Sequence, residues 1–146
     1  MNTLTKDPVA VVTVFLWIGF VCAISFMEAW LKFRAPGVTL PIGLGIGRLV
    51  FNALNKVEWV FAIAILFTLL WSGSLLSPSA ILISIPLGLL ALQTFWLLPA
   101  LDLRAEVHIQ GGAVPPSNLH LYYIAAELLK VVSLFIFGST LFKQQI

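Results

Sequence analysis

Charge is what this chain has least of. Asp, Glu, Lys and Arg make up 10% of its 146 residues, against about 25% in an ordinary soluble domain. Such a chain cannot cover a water-facing surface in the usual way. The net charge is +2 and scattered, which excludes a nucleic-acid binder by composition. Cysteine is nearly absent too: Cys22 stands alone inside an apolar run, so no internal disulfide and no redox thiol pair can form. Alternating polarity is missing, which excludes a membrane β-barrel. No serine-nucleophile signature or zinc-protease motif is present. Gly43-Leu-Gly-Ile-Gly47 has the glycines of a phosphate loop but no strand before it, and Arg48 after it where Lys-Ser/Thr would be needed.

What the chain has is long apolar runs, with 60% of its residues hydrophobic. Four stretches carry them: Val9 to Met27, Val57 to Leu76, Ala80 to Leu101 and Leu119 to Phe142. A hydrocarbon core of about 30 Å is crossed by about 20 apolar residues in a helix. Backbone polar groups cannot stay unpaired in lipid, so helices are the natural conformation for such runs. The first run is longer than the core of a secretion signal, about 7–15 residues. It has no clear cleavage site after it, only Glu28, Lys32 and Arg34, and is read as a retained helix. The sequence thus predicts an all-α, polytopic membrane protein. It is a single domain over residues 1–146, with four transmembrane helices in an up-down bundle, at about 9–33, 41–73, 79–108 and 117–143.

Local signals place the turns. Pro36 and Gly37 stop the first helix, and Pro41 suits the first turn of the second. Ser72 to Ser79 is an uncharged turn. Gln110 to Ser117 is the loop before helix four, with Ser117 a candidate N-cap. Pro86 and Pro99 fall inside helix three and predict kinks there. Gly43 and Gly47 have the small-xxx-small spacing that lets helices approach closely. Trp17, Trp30, Trp59, Trp71 and Trp96 mostly fall near helix ends, as in an aromatic belt.

Four crossings put both termini on one side with the Ser72–Ser79 turn. That side holds Lys6, Asp7 and Lys143; every other charge lies on or near the opposite side. Lys32, Arg34, Arg48, Lys56 and Arg104 outnumber Lys6 and Lys143. The positive-inside rule then puts the charged loops in the cytoplasm and the termini outside. A bacterial inner membrane is the expected location, and the lipid bilayer the first partner. The charges are also spaced as helix stripes. Glu28 and Lys32 are four apart, as are Asp102 and Glu106. His120, Tyr123, Glu127 and Lys130 follow spacings of three, four and three. Ionisable groups at membrane depth cost about 2.5–3.5 kcal/mol each by insertion scales, and they usually face the bundle interior and pair.

Converging stripes would build a polar cluster at one membrane face from Glu28, Glu58, Asp102, Arg104, His120, Tyr123, Glu127 and Lys130. Such a cluster can bind or move a small polar solute, a cation or a proton. No cofactor is indicated. Glu28, Glu58, His120 and Glu127 are weak candidates for a divalent metal, because no tight ligand motif occurs. The structural alternative is that the charges form salt bridges that fix helix register. An embedded enzyme using His120 as a general base, oriented by Glu127 or Asp102, is another reading. A subunit of a larger membrane complex is a third. Four helices are few for a solute path, which suggests a homo-oligomer.

Several stretches resemble a family of small bacterial membrane proteins classed as a domain of unknown function. Its animal relative is transmembrane protein two-hundred-and-five. The similar stretches are Lys32-Phe-Arg-Ala-Pro36, Gly47-Arg-Leu-Val-Phe51, Gln93-Thr-Phe-Trp-Leu-Leu-Pro99, Asp102-Leu-Arg104 and Leu119-His120, then Tyr123, Glu127 and Lys130. The similarity is spread over most of the chain in short motifs. It implies a four-helix membrane fold and little chemistry. The animal relative's association with drug resistance and export favours transport. Trp96, Pro99, Arg104 and His120 are the family-typical positions; Glu28 and Glu58 are not.

Overall fold

The computed structural model describes residues 7–142. Lys6 and Lys143, the two cations of the terminal side, lie outside the described residues. Four helices are long and apolar enough to cross a membrane: α1 (Pro8–Arg34), α2 (Leu40–Trp71), α3 (Pro78–Ile109) and α4 (Leu119–Thr140). No strand occurs among the described residues.

Their boundaries have local causes. The Asp7 carboxylate caps α1 by accepting from the Ala10 N–H at 3.1 Å, satisfying one of the unpaired donors of the first turn. The second helix ends where Gly73 turns left-handed (φ +66°). There the Ser74 N–H reaches the Leu69 carbonyl and the Gly73 N–H the Leu70 carbonyl, the double closure of a Schellman turn. Gly111 (φ +79°) repeats this at the end of α3. At the start of α4 the cap is Asn118, one residue later than expected. Ser117 Oγ accepts from the Leu119 N–H instead.

Two helices are irregular in mid-course. Pro86 has no N–H for the Leu82 carbonyl, and α3 breaks at Leu82–Ile83. Before Pro99, residues Gln93–Leu97 widen into a π turn whose closing bond runs from the Leu98 N–H to the Gln93 carbonyl. A second π segment covers Cys22–Glu28 in α1, closed by the Ala29 N–H on the Ile24 carbonyl. No proline accounts for that one. Such bulges recur at functional sites.

The helices alternate in direction. Phe20 on α1 meets Phe61 on α2. Arg48 and Asn55 on α2 bond Asp102 and Thr94 on α3. Phe15 on α1 meets Phe135 on α4. In each pairing, earlier residues of one helix face later residues of the other. Glycine sets two close approaches. A Cβ on Gly43 would collide with the Phe33 ring, so the start of α2 lies tight against the end of α1. A Cβ on Gly138 would sit 3.0 Å from Val14, which brings α4 against α1 near the termini.

The core is divided by height. Toward the termini it is apolar, with Ala10, Val14, Ile65, Leu69, Leu134 and Phe137 among its buried members. Toward the other end a smaller cluster forms around Leu97, Tyr123 and Ala126. The outer surface is apolar as well: Trp71, Leu76 and Phe95 are exposed. A water-soluble monomer rarely leaves so much apolar surface uncovered.

Candidate functional site

At the charged end, each ion pair joins neighbouring turns or helices. Glu28 and Lys32 pair along α1 at 3.3 Å. The Lys32 ammonium also lies 5.5 Å from the centres of the Phe33 and Phe51 rings, a distance at which a cation gains from the ring face. Arg48 grips Asp102 with two N–H groups, at 2.6 and 3.0 Å. Its third N–H goes to Glu106. Arg104 donates to the Pro115 carbonyl at 2.6 Å, holding the α3–α4 loop against the end of α3. This fits the planar, many-donor guanidinium.

These groups surround open space. A cavity of about 430 Å³ is lined by Ser25, Trp30, Arg104, His108, His120 and Glu127 among others. A second, of about 170 Å³, is lined by Lys32, Arg48, Asn52 and Asp102. Both touch Phe33, Phe51, His120 and Tyr123. Together they form a vestibule with a charged mouth, aromatic walls and a polar floor.

Below the floor lies a buried network drawn from all four helices. Lys130 on α4 is fully buried. It donates to Glu58 at 2.5 Å, to Glu127 at 2.7 Å and to the Gln93 side-chain oxygen. An ammonium has three donors and no acceptor, so Lys130 is fully satisfied. The Gln93 amide donates in turn to Glu127 Oε1 at 2.5 Å. Trp17 donates its indole N–H to Glu58 Oε2 at 2.7 Å. Ser25 donates to Glu127 Oε2 at 2.5 Å. Both Ser25 and Gln93 belong to the π segments, which turn those side chains inward.

The eight residues expected to form one cluster therefore divide. Glu28, Asp102, Arg104 and His120 belong to the mouth. Glu58, Glu127 and Lys130 belong to the interior. Tyr123 stands between, buried and lining both cavities. The α4 stripe explains this: it starts at exposed His120 and descends to fully buried Lys130. Glu58 sits in the middle of the bundle, where it meets Trp17 and Lys130. Trp17 is no belt residue either. It is fully buried, with its N–H spent on Glu58.

Glu28, Glu58, His120 and Glu127 do not assemble as metal ligands; no group of three or more His, Cys, Asp or Glu with that arrangement exists among the described residues. Among the described residues, neither Glu127 nor Asp102 bonds His120. Glu127 accepts from Ser25, Gln93 and Lys130, and Asp102 accepts from Arg48. Trp17, Ser25 and Gln93 were not read as site residues from the sequence. Gln93 carried a signal, as the one side-chain amide in the third apolar run.

Compared with family models, curated proteins and solved structures, the chain matches none. Its function is read from its own geometry.

Proposed function

We propose that this chain is a multi-pass membrane protein whose charged end binds a small polar solute, cation or proton. The four helices cross a bilayer, in a bacterial inner membrane, with the charged end in the cytoplasm and the termini outside. Their apolar outer surface and their lengths support insertion. Lys32, Arg34, Arg48 and Arg104 at the charged end support the orientation.

The observation that carries the ligand reading is the cavity of about 430 Å³ that runs from His108 and His120 at the mouth down to Ser25 and Glu127. Intramembrane ionisable groups are costly and characteristically mark ligand, ion or proton sites. A purely structural ion pair needs no open space leading to it. The terminal half of the bundle is packed with Val14, Ile65, Leu134 and Phe137. The bundle as it stands is therefore open at one end, and the reading is binding from the charged side. Movement across the membrane would require the terminal half to open.

The test is thermal unfolding of the purified protein against a panel of monovalent cations, divalent cations and small amines. A ligand that binds only the folded state raises the melting temperature by mass action. The expected result is stabilisation by one class of solute, lost in His120→Ala and in Glu127→Gln. Stabilisation that survives both substitutions would contradict the proposed location.

A further inference from the structure

Lys32 differs from the other cations that face the interior. Arg48 gives its N–H groups to Asp102 and Glu106, and Lys130 has an acceptor for each of its three. The Lys32 side chain is only 8% exposed. Among the described residues its ammonium has one hydrogen-bond acceptor, Glu28, at 3.3 Å. An ammonium carries three donors. The other two have the Phe33 and Phe51 rings nearby. A ring face attracts the cation but leaves its N–H groups able to take an oxygen acceptor.

The second helix makes room for this arrangement. Gly43 and Gly47 are about one turn apart. A Cβ on Gly43 would overlap the Phe33 ring, and one on Gly47 would lie 3.2 Å from Lys32 Nζ. The two glycines therefore form a notch that seats the Phe33 ring and the Lys32 ammonium side by side.

The ammonium borders the cavity of about 170 Å³. An apolar cavity of about 150 Å³ takes up benzene, so this one has room for a ring. Its walls suit one. Phe51 packs edge-on against Tyr123, with centroids 5.3 Å apart, and Leu44, Leu98 and Leu101 extend the apolar lining. Asn52 and His120 also border it, and each has an N–H to offer. The acid on this wall, Asp102, is already held by two N–H groups of Arg48. What the chamber offers a ligand is therefore a buried cation, further donors and a ring-sized apolar space.

We propose that this chamber binds an aromatic carboxylate. The carboxylate takes the Lys32 N–H groups that Glu28 leaves, with Asn52 or His120 donating to its other oxygen. The ring lies against Phe33, Phe51 and the leucines. This goes beyond the solute reading above, because it concerns the smaller chamber and an anion.

Fluorine NMR of the full chain in lipid nanodiscs tests it, with para-fluorobenzoate as the probe and empty nanodiscs as the blank. The expected result is saturable binding that unlabelled benzoate displaces and acetate, which lacks the ring, does not. Para-fluorobenzyl alcohol and para-fluorobenzylamine keep the ring without the anion. Each should bind about tenfold more weakly or worse, the scale of one hydrogen bond to a charged group. Lys32→Met should weaken probe binding by about tenfold or more, and Gly47→Ala, which crowds Nζ, by less. Glu28→Gln should tighten binding, because the ammonium loses its competing carboxylate. The proposal is overturned if the unsubstituted protein shows no saturable binding, or if the alcohol binds as tightly as the carboxylate. It is equally overturned if Glu28→Gln leaves the affinity unchanged or lowers it, a result that holds even where Lys32→Met fails to fold. Stabilisation by a cation or amine in thermal melts, with no benzoate binding, would sink this site alone. Benzoate binding with no such stabilisation would support this site and count against the solute reading.

Discussion

Arg48 and Lys130 are both cations held by two acids, yet they work in different solvents. Arg48 meets Asp102 and Glu106 at the mouth, where the three side chains are 29, 37 and 42% exposed. Lys130 meets Glu58 and Glu127 in the middle of the bundle, where the exposures are 0, 1 and 0%. The composition is the same, one base and two acids. At the mouth, water and salt can answer the surplus negative charge. In the middle, where these side chains are almost wholly buried, screening by water and salt is weak. The difference teaches that the acids' surroundings, rather than their number, decide what a polar cluster can do.

Breaking the interior triad should have the largest effect. Lys130→Met leaves two carboxyl groups buried without their cation. Removing one partner of a buried pair costs about 3–5 kcal/mol, so this variant should unfold far earlier on heating in detergent or fail to accumulate. Adding Glu58→Gln and Glu127→Gln to Lys130→Met should recover a large part of the loss, because the unpaired charges are then gone. Gln93→Leu comes next. It removes the acceptor of one Lys130 hydrogen bond and one donor to Glu127. A loss of about 1–3 kcal/mol is expected from the groups left unsatisfied, measured by the same melts. Arg48→Ala should have the smallest effect. Its contribution should also shrink as salt is raised, whereas the Lys130→Met penalty should not. A salt-insensitive Arg48→Ala, or a salt-sensitive Lys130→Met, would erase the distinction between the two triads.

The helices themselves were legible in the sequence. Length and apolarity marked four runs, and Pro36, Gly37, Gly73 and Gly111 stand at their ends. Gly43 was legible as a packing residue, since its spacing to Gly47 places both on one face. The depth of the acids was harder to read. Glu58 follows Asn52, Asn55 and Lys56, which look like an interface, and only its contact with Lys130 reveals an interior position. Trp17 looked like a belt tryptophan because its environment depends on α2, not on its neighbours in sequence. Ser25 was hidden for a different reason. Its inward direction comes from the π turn over Cys22–Glu28, and the regular 3.6-residue count used to assign faces does not hold across such a turn. Single polar residues inside apolar runs, Gln93 above all, were the signal that could have located the network.

The contrast between a reachable charged half and a sealed terminal half is tested most directly by cysteine labelling in proteoliposomes. Ile124→Cys, on the vestibule wall, and Leu134→Cys, in the apolar core, would be compared singly in a Cys22→Ala background using a charged, membrane-impermeant thiol reagent. Rapid modification at Ile124 from the charged side only, with Leu134 inert from both sides, is the predicted result. Modification of Leu134 at a comparable rate, or an inert Ile124, would contradict it.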